Sequence, residues 1–230
     1  MRTHVVPVDP LNEMQRQLLY GSLLGDGSIT HGDGTYVYRE SHKIEHQDYL
    51  RWKVEYFGPL VSSLRPNIRY DHVRKLTRWH VRMTMCGNWL KPYHELFYPN
   101  GHKIIPSSIL SGLSSLAFAV WFCDDGTKAS TGKRVRIHAD DFTIAEANAV
   151  TEILSSKFHI ASHVSGRPHR PDHPILNIDS ASATVFVNMI KPYIVPCMQY
   201  KITPIEKRRK ADYIEFRKPL HATAGAISPP

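Results

Sequence analysis

The sequence predicts an α+β protein built from a duplicated unit of helices and antiparallel strands. Two observations carry this prediction: short motifs recur in the same order along the chain, and strictly alternating strands occur beside apolar helices. The chain has 230 residues, of which 42% are hydrophobic, and it can therefore bury a substantial core. An internal repeat of this kind predicts two similar halves that pack against each other.

The repeat is first visible in two apolar runs that end in an Asp-Gly pair. One run leads to Asp26 and the other leads to Asp125. A Lys-Pro-Tyr motif begins at Lys91, 65 residues after the first of these carboxylates, and again at Lys191, 66 residues after the second. The matching order and spacing indicate that the same unit is written twice.

A third motif agrees with this register and suggests the domain boundaries. Lys-Ile-Ile-Pro begins at Lys103 and Lys-Ile-Thr-Pro begins at Lys201, which are 77 and 76 residues after their respective Asp residues. We therefore predict a first repeat over residues 1–112 and a second over residues 113–204. A basic tail, residues 205–230, follows them.

Hydrophobic periodicity predicts the helices of each unit. An apolar helix opens each repeat, and amphipathic helices follow between the strands. The predicted helices cover residues 13–25, 46–57, 87–97, 114–124, 144–158 and 181–194.

Strict alternation predicts the strands. In residues 78–84, Trp79, Val81 and Met83 alternate with basic or polar residues, and residues 134–139 show the same pattern. Period two with one apolar face is typical of an antiparallel strand packed on helices. Stretches rich in Gly, Pro or Asp, at residues 31–35 and 166–174, are interpreted as loops, and residues 106–115 as the link between the repeats.

Asp26 and Asp125 are the candidate metal ligands. Each ends an apolar helix, where the last carbonyl groups have no helical partner, so carboxylate and carbonyl oxygens lie together. Hard oxygen ligands of this kind suit Mg²⁺, with the carbonyl groups of Gly25 and Asp124 as further ligands. Small residues, Gly21, Ser22 and Ala119, would let the two helices approach closely and bring both carboxylates together.

The repeated lysines and the basic strands complete the predicted site. Lys103 and Lys201 could orient a water molecule or stabilise transition-state charge. The chain has 29 Lys+Arg against 21 Asp+Glu, a net charge of +8, and this balance favours nucleic acid as a partner. The candidate DNA-binding residues are Arg39, Lys43, Arg69, Arg78, His80, Arg82, Lys133, Arg134, Arg136, His138, Arg167 and Arg170.

The two Asp-containing helices resemble the paired motifs of the LAGLIDADG homing endonucleases in their single-chain form. The most specific stretches are SLAFAVWFCDDGTK and MIKPYIVPCMQYKITP, and the likeness extends from about residue 14 to residue 204. The resemblance implies two pseudo-symmetric αββαββα units whose antiparallel sheets form a DNA-binding saddle. It implies Asp26 and Asp125 as metal ligands and Lys103 and Lys201 as the basic residues.

The same resemblance implies an activity. It predicts a monomer that binds double-stranded DNA at a long asymmetric site and cuts both strands by metal-dependent hydrolysis, leaving short 3′ overhangs. The expected cofactor is Mg²⁺ or Mn²⁺, with Ca²⁺ as a non-productive substitute. We expect an intracellular protein, in an organelle or a prokaryotic cytoplasm, because the three cysteines have no disulfide or zinc-site spacing and are interpreted as reduced thiols. No apolar run is long enough to span a membrane.

Other functions remain open at this stage. Some members of the family act as RNA maturases that assist intron splicing, and a catalytically inactive DNA-binding regulator would have the same surface. A haloacid-dehalogenase-type phosphatase is disfavoured, because the motif that precedes Gly-Thr in that family needs Asp where Cys123 stands. A zinc site at His163, His169 and His173 lacks a metal-ligand spacing, so a DNA-contacting hairpin is the preferred interpretation.

Overall fold

The same order of helices and strands occurs twice in the computed structural model, which describes residues 9–72, 75–128 and 134–203. The first set comprises α1 (Glu13–Leu24), β1 (Ser28–Gly32), β2 (Thr35–Lys43), α2 (Gln47–Phe57), β3 (Val61–Asp71), β4 (Leu76–Cys86) and α3 (Lys91–Phe97). Its four strands form an antiparallel sheet in the order β1-β2-β4-β3.

A short helix, α4 (Ser107–Leu110), leads into the second set. This set comprises α5 (Ser115–Asp125), β5 (Gly126–Lys128), β6 (Val135–His138), α6 (Ile144–Phe158), β7 (Ser162–Arg167), β8 (Arg170–Ile178) and α7 (Ala183–Ile190). The sheet order β5-β6-β8-β7 repeats that of the first sheet. The α+β class and the two αββαββα units are confirmed. The predicted tail, residues 205–230, lies outside the described residues.

Local sequence explains where the helices begin. Asn12 and Gln15 form a capping box at the start of α1, and Thr143 and Glu146 form another at the start of α6. Predicted residues 181–194 divide into α7 and a 3₁₀ turn, Lys191–Tyr193. Pro192 has no N–H to donate, which disfavours continuation of the α-helix.

Strand β4 is longer than the predicted 78–84, whereas β6 is shorter than the predicted 134–139, and the two predicted loops are hairpins. Asp33 and Gly34 join β1 to β2 with positive φ angles of 50° and 73°, the conformation of a tight hairpin turn. Residues 166–174 are mostly the ends of β7 and β8, with His169 at a positive φ of 66°. Trp79 is 57% exposed, so its prediction as a core residue was wrong: β4 extends beyond the helices at that point.

Helices α1 and α5 lie at the centre of the molecule. Every residue from Leu116 to Cys123 is buried, so α5 is covered on all sides by protein. On α1 the residues from Leu18 onward are buried, apart from Tyr20. The helices end at adjacent points, and their C-terminal residues are therefore held rigidly beside each other.

Candidate active site at the ends of two central helices

The close approach of α1 and α5 depends on Gly21. A Cβ atom at this position would lie 2.5 Å from the Ala117 carbonyl oxygen and 2.7 Å from Val120 Cβ. These separations are shorter than van der Waals contact, so only glycine fits without a shift of one helix. Gly21 thus sets the separation of the two helices and, through it, the position of the residues at their ends.

Asp26 and Asp125 line one cleft, with a volume of about 600 Å³. Residues of both repeats form its walls, among them Lys103 and Tyr98 from the first and Asp140 from the second. The Asp26 side chain is 45% exposed, whereas Asp125 is largely buried. The structure therefore brings the two predicted metal ligands into one solvent-accessible cleft.

The carboxylates of this cleft repel one another. Burial, followed by repulsion from Asp124 and Asp26, raises the pKa of Asp125 to about 8. Lys103 and Lys201 act in the opposite direction and offset this only in part. Negative charge at the cleft is therefore under-compensated by the protein's own side chains.

The two predicted lysines occupy equivalent positions. Lys103 Nζ donates a hydrogen bond of 2.7 Å to the Gly25 carbonyl oxygen, and Lys201 Nζ donates one of 3.0 Å to the Asp124 carbonyl oxygen. Each lysine thus binds the residue immediately before the motif carboxylate of its own repeat. The pKa of both amines is below its ordinary value, because the effect of burial exceeds the opposite effect of the nearby carboxylates.

The donor set fits a hard divalent cation. Carboxylate and carbonyl oxygens are the ligands that Mg²⁺ and Ca²⁺ prefer, and the uncompensated negative charge favours a cation at this point. The carbonyl groups of Gly25 and Asp124 each accept one lysine hydrogen bond and retain a second lone pair. Asp26, Asp124 and His42 also form a group whose potential ligand atoms lie within 4.8 Å of one another.

The outward face of the first sheet is basic. Register pairs Arg82 with Arg65 and Ser41, and residues directly opposite each other share a face. The predicted residues Arg39 and Lys43 are exposed on β2, and Arg78, His80 and Arg82 are half-buried on β4. The Arg69 backbone pairs with that of Arg78. Arg65, exposed on β3, belongs to this face and was missed by the sequence analysis, which assigned no strand there.

The second sheet carries a smaller basic face. Arg134 is exposed just before β6, and Arg136 and His138 are half-buried on that strand. Arg170 is exposed at the β7–β8 hairpin, whereas Lys133 lies outside the described residues. The Arg167 guanidinium lies 2.6 Å from an Asp140 carboxylate oxygen, so this cation is held at the cleft by an acid of its own repeat.

Comparison with known proteins identifies the family. The model of the LAGLIDADG DNA endonuclease family matches residues 16–186, which is most of the chain. This protein belongs to the LAGLIDADG DNA endonuclease family. Among similar proteins, a cytochrome b mRNA maturase bI2 of Debaryomyces hansenii is 32% identical over 207 residues, covering 84% of this chain and 75% of the maturase.

Further relatives of this LAGLIDADG protein include an endonuclease and a solved structure. The DNA endonuclease I-ChuI of Chlamydomonas applanata is 29% identical, covering 84% of this chain and 96% of I-ChuI. The homing endonuclease I-WcaI, solved bound to its DNA recognition sequence, superimposes with a TM-score of 0.75 at 24% identity. The match covers 84% of this chain and 87% of I-WcaI, and it supports the fold.

In this LAGLIDADG protein, Asp124 was predicted to support the site through its carbonyl group, and its side chain also makes contacts there. The Asp124 side chain is fully buried, and its carboxylate accepts hydrogen bonds from the Asp26 backbone N–H at 3.2 Å and the Tyr49 hydroxyl at 2.9 Å. Glu40, His42 and Lys53 lie beside it and were missed. Their signal was available: Tyr38, Glu40 and His42 alternate along β2, so polar residues share the strand's buried face.

Proposed function

We propose that this chain is a site-specific DNA endonuclease that makes double-strand breaks at a long asymmetric target for intron or intein homing. It acts as a monomer with Mg²⁺ or Mn²⁺, and Ca²⁺ substitutes without supporting cleavage. The observation that carries the proposal is the meeting of Asp26 and Asp125, one carboxylate from each repeat, in one cleft that Lys103 also lines. Lys201 binds the carbonyl oxygen of Asp124, the residue before Asp125. Membership of the LAGLIDADG DNA endonuclease family supports it.

The sheets supply the DNA-binding surface. Arginine side chains neutralise phosphates, and they also read guanine edges in the major groove, which a two-stranded ribbon can enter. The exposed Arg39, Lys43 and Arg65 lie on the first sheet, and Arg134 lies beside the second. Because the two faces carry different residues, they would contact different base pairs, which accounts for an asymmetric target.

The carboxylates Asp26 and Asp125 would each bind divalent metal beside this surface. When bound, the metal polarises the phosphoryl oxygen, lowers the pKa of a bound water and stabilises the leaving oxygen. The protein's own contribution is to fix both oxygens at the rigid ends of α1 and α5.

The lysines act beside the carboxylates. The hydrogen bonds to the carbonyl oxygens of Gly25 and Asp124 hold the two ammonium groups beside the residues that precede Asp26 and Asp125. An ammonium group at this point stabilises charge that develops on the phosphoryl oxygens and orients an attacking water. Partial burial strengthens the interaction, because the amine is shielded from bulk solvent.

An RNA maturase is the second candidate. One observation favours it: the relative from Debaryomyces hansenii, at 32% identity, is described as an mRNA maturase. Binding and folding an intron RNA requires the basic surface and does not require a converging pair of carboxylates. The intact acid and lysine pairs therefore favour DNA cleavage.

The test is cleavage of a randomised duplex pool with Mg²⁺, followed by sequencing of the cut ends. The wild-type protein should select one long site and leave short 3′ overhangs. The Asp26→Asn/Asp125→Asn variant should bind the same site without cutting, because the substitutions remove the metal ligands and leave the sheets intact. Asp33→Asn, at the exposed β1–β2 turn, serves as the matched control and should cut normally.

Two results would contradict the proposal. Robust double-strand cutting by the Asp26→Asn/Asp125→Asn protein would show that the chemistry lies elsewhere. A wild-type protein that binds the pool without cutting, and that accelerates splicing of an intron RNA, would assign the chain to the maturases.

A further inference from the structure

A cluster of buried charges lies behind the first repeat's carboxylate. Glu40 is 1% exposed, His42 is 6% exposed and Lys53 is fully buried. Lys53 Nζ lies 2.6 Å from Glu40 Oε1, and His42 Nε2 lies 2.6 Å from the same oxygen. Burial alone would raise the pKa of Glu40, but Lys53 and His42 hold it at about 2, so this acid is ionised at neutral pH.

The remaining bonds of this cluster are satisfied. Glu40 Oε2 accepts a hydrogen bond of 2.6 Å from the Tyr38 hydroxyl, and Lys53 Nζ donates one of 2.8 Å to Ser22 Oγ. A buried ion pair braced by further hydrogen bonds is rigid, because removing one partner leaves a buried charge uncompensated.

The cluster reaches the cleft through two side chains. His42 Nδ1 lies 3.5 Å from Asp26 Oδ2. The Asp124 carboxylate lies 3.6 Å from His42 Nε2 and 3.8 Å from Lys53 Nζ, and it also accepts the Asp26 backbone N–H. Both the side chain and the backbone of Asp26 are therefore held from behind.

The second repeat has no such support at the equivalent positions. In the first sheet Ser28 pairs with Arg39, so Gly27, which follows Asp26, lies opposite Glu40. In the second sheet Gly126, which follows Asp125, pairs with Ile137. Ile137 is therefore the counterpart of Glu40. Two residues further along the chain, Ala139, which directly follows β6, stands where the first repeat has His42. The residue seven positions after the helix N-cap is Lys53 in α2 and Val150 in α6.

All three replacements are buried and apolar. Ile137 and Val150 are 0% exposed and Ala139 is 1% exposed. Apolar residues at these positions avoid the desolvation cost of an ion pair, so the fold by itself does not require charge there. The charged cluster is thus a feature of one half of the active site.

We propose that the Glu40–Lys53 ion pair is a positioning unit for Asp26, acting through His42 and Asp124, and that it makes cleavage of the two DNA strands unequal in mechanism. The inference rests on the proposed function. Each repeat supplies one carboxylate and one lysine, so each serves one scissile phosphate. Loss of the ion pair loosens Asp26. It leaves Asp125 in place, because the equivalent positions of the second repeat hold apolar side chains.

The experiment compares wild type with Glu40→Gln/Lys53→Met, in which both buried charges are removed and side-chain size is kept. Single-turnover rate constants are measured separately for each end-labelled strand of the target in Mg²⁺, and DNA affinity is measured in Ca²⁺. We expect the ratio of the two strand rate constants to change by about tenfold or more, because partners behind a metal ligand typically contribute 10–100-fold. DNA affinity should remain within about twofold.

A second variant and a control separate positioning from stability. His42→Ala, which copies the residue at the equivalent position of the second repeat, should shift the strand ratio in the same direction. Leu50→Ala creates a cavity on the same helix among apolar side chains, and it should lower thermal stability without changing the ratio.

Equal slowing of both strands in Glu40→Gln/Lys53→Met and in His42→Ala, as from general destabilisation, would overturn the inference, and so would unchanged rates. A wild-type protein that cuts no DNA would overturn the proposed function first, so the two failures are distinguishable.

Discussion

Substitution of Gly21 by Ala tests whether the spacing of α1 and α5 controls the active site. The added Cβ would lie 2.5 Å from the Ala117 carbonyl oxygen, whereas ordinary contact begins near 3.4 Å. The helices would have to separate by about 0.9 Å at this point. Because Asp26 lies two residues beyond the end of α1 and Asp125 ends α5, this separation would be transmitted to both carboxylates.

Two opposing contributions determine the change in stability. Overpacking a tight interior typically costs about 1–3 kcal/mol. Replacing a helical Gly by Ala contributes about 1 kcal/mol in the opposite direction through backbone entropy. Since the contact involves a backbone oxygen, which cannot rotate away, we expect the upper part of the cost and a net destabilisation of about 1–2 kcal/mol. For a chain of this size, that lowers Tm by about 2–8 °C.

The assay is thermal unfolding together with the single-turnover cleavage rate. Gly112→Ala is the matched control, because a Cβ there would meet its nearest neighbour at 3.4 Å. Gly21→Ala should lower both Tm and the cleavage rate, and Gly112→Ala should leave the rate unchanged. An increase in Tm for Gly21→Ala would show that the helices accommodate the added Cβ at little cost, and it would contradict the predicted role of Gly21 in their spacing.

Three further outcomes are expected. Thr143→Ala should lower the free energy of unfolding by about 1 kcal/mol in chemical denaturation, because it removes the N-cap of α6, and an unchanged value would contradict the capping box. The folded-state pKa of Glu40, about 2, is below its ordinary 4.5, so the stabilisation is present above pH 4.5 and is lost as the pH falls towards 2. Wild type should therefore lose more stability across that window than Glu40→Gln/Lys53→Met in unfolding measurements, and parallel losses would count against the ionised pair. Arg82→Ala and Arg136→Ala should each weaken DNA binding and reduce the slope of log K against log salt by about 1, and unchanged affinity at fixed salt would exclude a phosphate contact.

Features with a local signature were predicted well from the sequence. The capped, periodic helix α6 was predicted with its observed bounds, and α1 and α5 within about a residue. Alternation in β4 predicted the burial of Val81 and Met83. It failed at Trp79, because burial there depends on whether the helices extend beneath the end of the strand, which is a property of packing.

The residues of the site also fall into two groups: those predicted from repeated motifs and those recognised only from packing. The repeat predicted four site residues, because each of their motifs recurs at the same spacing in the other half of the chain: Asp26, Asp125, Lys103 and Lys201. The Glu40–Lys53 pair has no counterpart in the second repeat, so comparison of the halves could not find it. Arg167 was assigned to DNA by its charge, and its contact with Asp140 became visible only in three dimensions.

Periodicity and spacing are expressed over a few residues or repeated in register, so they were enough to predict the duplicated α+β unit, the motif carboxylates and lysines, and the basic strands. Three-dimensional packing alone reveals that the Asp26 backbone meets the Asp124 side chain and that the buried Glu40–Lys53 pair lies behind His42, which contacts Asp26. Such contacts join residues far apart in the chain. They arise from the packing of α1 against α5 at Gly21 and from the position of α2 beside them, and no short pattern in the sequence encodes that geometry.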